Sequence, residues 1–194
     1  DAYVRVSEAL ILLREGGKRF DAADLLSRIT ADHPRDAEAW SLRADVARLD
    51  QDYASAAKWY AKATEINPFR ISERLQLVSA LIELDEIETA GKKLSELEKL
   101  IPDHPGVNFA RGRLLLGEGK DVEGLQTLSR VLSVMPDHAP TLYLAANANA
   151  RQGNIATAQQ QLARFIREQP DNIPARLQMA GLNLRQNDAR SAER

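Results

Sequence analysis

Proline recurs along this chain at a fixed interval of 34 residues. The series runs through Pro34, Pro68, Pro102, Pro136 and Pro170. A constant period of this length is typical of a solenoid, in which one small structural unit is repeated and stacked. Such a unit cannot bury its apolar side alone, so each one depends on its neighbours for a core. The period therefore predicts a repeat array.

Columns of like residues accompany the prolines and indicate what each unit is. A small residue stands twelve positions before each proline, in the series Ala22, Ala56, Ala90, Gly124 and Ala158. Mostly larger apolar residues stand eight and five positions before it, in the series Leu26, Tyr60, Leu94, Leu128, Leu162 and the series Ile29, Ala63, Leu97, Val131, Phe165. Spacings of four and three residues put these columns on one face of a helix.

A further column marks a turn in the middle of each unit. Residue types that mostly favour turns stand seventeen positions before the prolines, namely Gly17, Gln51, Asp85, Gly119 and Gly153. Each unit is therefore predicted to be two helices joined by a short turn. We expect first helices near residues 3–15, 37–50, 71–84, 106–118, 139–152 and 173–186. We expect second helices near 20–33, 53–66, 87–100, 121–134 and 155–168, with a truncated one from 188.

The remaining prolines and several aspartates fit the starts of the first helices. Pro105, Pro140 and Pro174 fall in a first helical turn, where a missing N–H does no harm. Aspartates just before these helices are the expected N-caps, namely Asp36, Asp103, Asp137 and Asp171.

Residues 36–68 carry a resemblance to a known family. They have a large aromatic residue early in the first helix (Trp40) and small residues at two close helix contacts (Ala44 and Ala56). An aromatic residue, Tyr53, follows the turn, and a proline closes the unit. In these respects the chain resembles the tetratricopeptide (TPR) repeat family. The resemblance implies an all-α solenoid of about 11–12 helices wound into a right-handed superhelix.

The repeats predict a single array over residues 1–194. Its units cover residues 3–34 or 36, 37–70, 71–104, 105–138 and 139–172, with a partial unit at 173–194. Because the partial unit lacks a closing proline, we expect further repeats, a capping helix or a partner to cover its apolar face. The sequence begins with Asp1 rather than Met, so we expect it to be a piece of a longer protein.

Patterns for catalysis and metal binding are weak, and no cofactor is expected. The chain has no cysteine, which excludes disulfides, cysteine-ligated metals and thiol catalysis. The glycine-rich stretch at 117–121 lacks the first glycine and the Ser or Thr of a phosphate-binding loop. Two of the three histidines, His104 and His138, lie one repeat apart, roughly 20 Å given helix spacings of 8–10 Å. We therefore predict a non-enzymatic protein with no metal site.

The same sequence argues against nucleic acid and against a membrane span. The net charge is −2, whereas phosphate binding needs a clustered basic surface. No run of about 18 apolar residues is present, so no segment is expected to cross a membrane. The expected partner is a protein or a peptide.

The family resemblance also implies where a partner binds. In TPR proteins the first helices line a concave groove, and ligands contact fixed positions on them. One of these is the fifth place of the repeat, which changes from hydroxyls to large apolar groups along the chain, reading Ser7, Ser41, Leu75, Phe109, Tyr143 and Leu177. With flanking polar residues, the predicted partner-binding set is Leu75, Phe109, Arg113, Tyr143, Asn147, Arg151, Leu177 and Arg185.

Charge is divided unevenly along the chain and supports this prediction. Residues 1–104 carry a net charge of −5, and residues 105–194 carry +3. Arginine binds carboxylates through two parallel hydrogen bonds and stacks on aromatic rings. We therefore predict that the groove holds an extended or helical segment by its apolar side chains and its acidic groups. The alternative is that the large apolar residues only pack against neighbouring helices, with the arginines as ordinary solvated charges.

Two other functions stay open at this point. One is a structural self-assembly element, a homo-oligomer formed by stacking of the exposed terminal repeats. The other is a regulatory arm of an enzyme whose catalytic domain lies outside this stretch of sequence.

Residues 136–188 show a narrower resemblance. Its elements are PDHAP at 136–140, the QGN turn at 152–154 and PDNIPAR at 170–176. They look like the TPR-repeat lipoproteins encoded with bacterial PEP-CTERM/exosortase and exopolysaccharide systems. This resemblance implies a periplasmic, membrane-anchored scaffold of an export or polymer-assembly apparatus, while the residues themselves leave the compartment open.

Overall fold

A computed structural model describes residues 2–14 and 18–192, and these residues form helices joined by short turns. The eleven helices of this part of the chain are α1 (Ala2–Arg14), α2 (Arg19–Asp32), α3 (Ala37–Leu49), α4 (Tyr53–Ile66), α5 (Ile71–Glu83), α6 (Ile87–Leu100), α7 (Pro105–Gly117), α8 (Asp121–Val134), α9 (Ala139–Arg151), α10 (Ile155–Glu168) and α11 (Ile173–Ala192). The all-α prediction is confirmed. All five closing prolines lie between helices, as the period predicts.

The helices group into two compact units, Asp1–Pro102 (unit 1) and Asp103–Arg194 (unit 2). Within unit 1 each of the helices α1 to α6 packs on the next one in the sequence. Within unit 2 the helices α7 to α11 do the same. Each unit is therefore a series of stacked helical hairpins. The expectation of a single array over 1–194 stays a prediction.

The three columns that precede the closing prolines form the cores of both units. Every apolar side chain of these columns is at most 5% exposed, and the remaining member, Gly124, is also buried. The predicted core is thus confirmed. Burial of this kind stabilises by about 25 cal/mol per Å² of apolar surface.

The turn column adopts the left-handed conformation. The φ angle is 60° at both Gln51 and Asp85, 76° at Gly119 and 80° at Gly153; Gly17 lies outside the described residues. The N–H of Asp52 donates to the carbonyl of Ala47 at 2.8 Å, which closes the end of the helix. Glycine adopts this conformation freely, whereas other residues are strained there by about 1–2 kcal/mol.

Only one of the four expected N-caps is correct. The carboxylate of Asp36 accepts from the N–H groups of Glu38 and Ala39 at 3.0 and 3.1 Å. The other predictions are early by one residue, because the capping position lies two residues after the closing proline. Helices α7, α9 and α11 directly follow His104, His138 and Asn172 rather than Asp103, Asp137 and Asp171.

The predicted break near residue 188 is wrong, because α11 continues from Ile173 to Ala192. In the preceding repeats the second helix packs back against the first and holds the turn between them. Here five described residues follow position 187, less than two helical turns. The described residues hold no returning helix here, and the backbone stays helical to Ala192.

Candidate protein-interaction face

Three large apolar side chains occupy the same repeat position on successive first helices of unit 2. They are Phe109 on α7, Tyr143 on α9 and Leu177 on α11, 34 residues apart. The two aromatic residues are partly buried, while Leu177 is 69% exposed. We call the surface that these three residues define the first-helix face of unit 2.

Both aromatic rings of this face also have contacts inside the unit. The ring of Phe109 meets His138 edge-on, with the ring centroids 5.2 Å apart. The ring of Tyr143 lies against Phe165 of α10 at 4.9 Å. Such pairs contribute about 0.5–1.5 kcal/mol beyond their burial. The packing role proposed as an alternative therefore holds for part of each aromatic side chain, but Leu177 is mostly open to solvent.

A pair of amide side chains joins α9 to α11 on this unit. Gln178 Nε2 donates a hydrogen bond to Asn147 Oδ1. Gln178 Oε1 is buried and has no hydrogen-bond partner. An unmet acceptor of this kind costs about 1–3 kcal/mol. The pair therefore has unused hydrogen-bonding capacity next to the apolar residues.

Arg151 is already engaged within the chain. Its guanidinium donates from Nε and Nη2 to the two carboxylate oxygens of Asp121 on α8, at 3.2 and 2.6 Å. Gln152 donates to the same carboxylate at 3.2 Å. The bonds from Arg151 and Gln152 lower the pKa of Asp121 from its ordinary value. Arg151 therefore joins α8 to α9. The two N–H groups that would bind a partner's carboxylate already donate to Asp121.

The other predicted residues are placed as follows. Arg113 is partly buried on α7 and has an interaction of its own within the chain. Arg185 is exposed on α11. Leu75 is partly buried on α5 and belongs to unit 1, so it is not part of the first-helix face of unit 2.

In unit 1 the corresponding residue of α3, Ser41, is part of a polar network. Ser41 is 6% exposed, and its hydroxyl donates to Glu73 at 3.0 Å. Arg70 Nε donates to the same Glu73 oxygen at 2.6 Å and also pairs with Glu38. Burial raises the pKa of Glu73, but the hydrogen bonds from Arg70 and Ser41 outweigh it and leave that pKa lowered. This network ties α3 to α5 and leaves no apolar surface at Ser41.

Sequence reasoning missed two partners that shape the face. Gln178 and Asp121 lie 31 and 30 residues from the residues they bond, Asn147 and Arg151. A separation near the 34-residue period is the signal that could have found them, because it marks side chains on neighbouring repeats.

Neither a metal site nor a membrane span is found in the part of the chain that the structure describes. Across residues 2–14 and 18–192, no group of three or more His, Asp or Glu side chains is placed to hold a metal ion. In the same residues no helix has both the length and the apolar character needed to cross a bilayer.

Comparison with known proteins identifies the repeats. Two descriptions of the tetratricopeptide repeat match residues 8–71 and 141–172. No curated protein matches the chain.

Solved structures show the same fold. TTC0263, a thermophilic TPR protein of Thermus thermophilus, is 18% identical with a TM-score of 0.75, covering 95% of this chain and all of that one. YrrB, a TPR protein with an unusual peptide-binding site, is 23% identical with a TM-score of 0.63, covering 90% of each chain. The human IFIT1 dimer with m7Gppp-AAAA is 15% identical with a TM-score of 0.78, and the match covers all of this chain and 49% of IFIT1.

The fold and the matches define an α-solenoid of the helical-repeat class. More particularly, residues 8–71 and 141–172 are tetratricopeptide repeats, in agreement with the predicted 34-residue helical hairpins. The repeat is generally a non-catalytic fold that binds proteins or peptides. The predicted exclusion of nucleic acid stays a prediction.

Proposed function

We propose that this protein is a non-enzymatic scaffold that binds a segment of a partner protein along the first-helix face of unit 2. The observation that carries the proposal is the exposure of Leu177, 69%, in line with two partly buried aromatic residues. Contiguous apolar surface that remains accessible to solvent marks interaction sites more often than an isolated apolar side chain does.

The spacing of the face suits an extended segment. The bond between Asn147 and Gln178 shows that the first helices α9 and α11 contact each other directly, and helices in contact lie about 8–10 Å apart. A segment in the polyproline II conformation has about 3 residues per turn and rises about 3.1 Å per residue. Every third side chain of a bound segment would therefore meet one of Phe109, Tyr143 and Leu177. The side chain of Asn147, which is partly exposed, would bond the segment's backbone, whose N–H groups need partners once water is displaced.

Charge favours an acidic segment. Residues 105–194 carry a net charge of +3, and Arg185 extends into solvent from α11. Arg151 contributes less than its position suggests, because its guanidinium is held by Asp121. The partner proposed here is therefore a peptide segment with apolar residues at intervals of three and carboxylates between them.

The proposal is tested with peptides selected from a random library displayed against the whole chain. We expect Leu177→Ala to weaken the best peptide by about 5- to 30-fold, which corresponds to about 1–2 kcal/mol at a central contact. Because Leu177 is mostly exposed, the helical content should not change. The measurement is calorimetric titration, with circular dichroism as the check on folding.

Val134→Ala is the matched control. Val134 is 68% exposed on the second helix α8, so its truncation removes a similar apolar surface away from the face. Unchanged affinity in both variants, or equal losses in both, would rule out the first-helix face as the site.

A second candidate function is self-association. Ile173, Leu177 and Leu184 recur at helical spacing on α11 and are 67%, 69% and 65% exposed. This stripe would also suit a second copy of the chain. A mass that rises with protein concentration would favour self-association over capture of a peptide.

The setting of this scaffold in a bacterial export or exopolysaccharide system is the narrower part of the proposal. Its support is the sequence resemblance of residues 136–188 to lipoproteins of PEP-CTERM systems. The compartment and the membrane anchor that this resemblance implies stay predictions.

A further inference from the structure

A groove runs between α4 and α6 of unit 1, with α5 beneath it. Two cavities of about 250 and 370 Å³ share Ala61, Leu77 and Lys93 and so lie side by side in this space. We call this space the α4–α6 groove. It lies within unit 1 and contains no residue of the first-helix face of unit 2.

The bottom of the groove is apolar and its edges are charged. Leu77 and Leu81 of α5 form the floor and are each 6% exposed. Alanines of α4, including Ala57 and Ala61, line one wall, and α6 contributes Lys93 to the other. Alanine side chains are short, so α4 leaves open the space that longer side chains would fill.

The same place one repeat earlier is filled. The guanidinium carbon of Arg43 lies 4.2 Å from the ring centroid of Trp59 and 5.5 Å from that of Trp40. The guanidinium also donates to the hydroxyls of Thr30 and Ser27, at 2.7 and 3.1 Å. Together these five side chains close the space between α2 and α4.

The five counterparts of this cluster all line the smaller cavity. Ser27, Thr30, Trp40, Arg43 and Trp59 are followed, 34 positions later, by Ala61, Thr64, Arg74, Leu77 and Lys93. Leucine is shorter than arginine, lysine has no planar ring, and alanine has no hydroxyl. The cavity is therefore the space that an arginine and a tryptophan fill in the preceding repeat, left open here.

The charges around the groove indicate what would fill it. Lys58 on α4 lines the groove and has no ion pair with any residue that the structure describes. Lys93 lies 3.7 Å from Glu96, whose carboxylate is closer to Arg74, at 3.1 Å. Glu65 and Glu86 also line the groove, and Glu65 pairs with Lys62 at 3.1 Å. The ammonium groups of Lys58 and Lys93 then stand against the single carboxylate of Glu86, and this excess of positive charge favours carboxylates on the occupant.

We propose that the α4–α6 groove binds a segment of a partner protein that carries an aromatic anchor flanked by acidic residues. The ring occupies the space that Arg43 and Trp59 fill one repeat earlier, with the cations of Arg74 and Lys93 beside it. A cavity of about 150 Å³ already admits benzene, so about 250 Å³ accommodates an aromatic side chain. The flanking carboxylates pair with Lys58 and Lys93.

The test uses blocked tripeptides and amide NMR of the whole chain. Glu-Trp-Glu should shift resonances of α4, α5 and α6 in a saturable way at millimolar concentration. Glu-Ala-Glu lacks the anchor and Lys-Trp-Lys reverses the charge, so each should bind at least tenfold more weakly. No saturable shift in unit 1, or equal binding of Lys-Trp-Lys, would overturn the proposal.

A variant that copies the preceding repeat provides the decisive comparison. Ala61→Ser, Leu77→Arg and Lys93→Trp together rebuild the cluster that closes the space between α2 and α4. We expect this triple variant to keep its helical content and to lose binding of Glu-Trp-Glu at least tenfold. Retained affinity in the folded variant would show that the ring binds elsewhere.

A single charge reversal tests the proposal even if the triple variant does not fold. Lys58→Glu should weaken Glu-Trp-Glu at least threefold. Lys92→Glu is the matched control, because Lys92 is next to Lys93 on α6 but does not line the groove, and its side chain is 71% exposed. Equal effects of the two reversals would contradict the proposal. Leu177→Ala tests the first-helix face of unit 2 with a different peptide, so failure of that proposal is distinguishable from failure of this one.

Discussion

His138 links two helices of unit 2 through its ring. One side of it meets Phe109 of α7, and its Nδ1 lies 2.6 Å from the hydroxyl of Thr141 in the first turn of α9. Burial of the ring lowers the pKa of His138 below its ordinary value, since removal from water disfavours the charged form. The fold therefore favours the neutral imidazole.

This preference predicts a dependence of stability on pH. An unfolded histidine has a pKa of about 6.5, and the folded value is lower. The contribution is therefore fully present above about pH 6.5 and is lost as the pH falls towards the folded value, because the unfolded chain then binds more protons. The free energy of unfolding in urea should fall between about pH 7.5 and 5.5. In His138→Gln the free energy of unfolding should fall less over the same pH range. The same dependence on pH in both proteins would contradict this account.

Single residues show where the sequence was sufficient and where it was not. The capping carboxylate of Asp36 was predictable, since its partners are the next residues of the chain. The engagement of Arg151 was not, because Asp121 comes 30 residues earlier and only the packing of α8 against α9 brings them together. Local geometry can be read along the sequence, whereas pairing between repeats depends on how the helices pack.

At the scale of helices, α7 and α8 approach each other through two glycines. A Cβ atom placed on Gly112 would lie 2.5 Å from Leu128 Cδ2, and one placed on Gly124 would lie 2.6 Å from Leu116 Cδ2. Two repeats earlier the same positions hold Ala44 and Ala56. The contact in this hairpin therefore depends on the absence of a side chain.

Substitution by alanine measures this contact. Gly112→Ala should lower the free energy of unfolding by about 1–2 kcal/mol, since overpacking forces Leu128 to move. Gly91→Ala is the matched control in the middle of α6, where a Cβ would have nothing within 4 Å. It should raise stability by about 0.5–1 kcal/mol, the ordinary gain for alanine over glycine in a helix. Chemical denaturation gives both values, and equal stabilisation by both would show that the helices are not in close contact.

The helices themselves were predictable because each boundary is marked in the sequence. The predicted second helix at 53–66 has the bounds of α4, and the first helix predicted at 37–50 ends one residue later than α3. The exception is α11, where the described residues hold no helix after the turn signal at position 187. A turn between two helices is thus a property of the pair, not of the turn residues alone.

For the molecule as a whole, the sequence predicts the repeat but not the surfaces that the repeats leave open. The first-helix face could be proposed from one column, although its exposure at Leu177 is a structural finding. The α4–α6 groove depends on the difference between Arg43 and Leu77, two members of one column. Such a difference becomes a cavity only when the surrounding helices are in place.

The central claim is that the chain consists of 34-residue helical hairpins, and hydrogen exchange tests it most directly. When exchange is followed by mass spectrometry on the whole chain, the amides within the helices should be protected. Protection should be interrupted near Gln51, Asp85, Gly119 and Gly153. It should be interrupted again at each closing proline. Protection that runs unbroken through these turns, or that shows no 34-residue period, would contradict the claim.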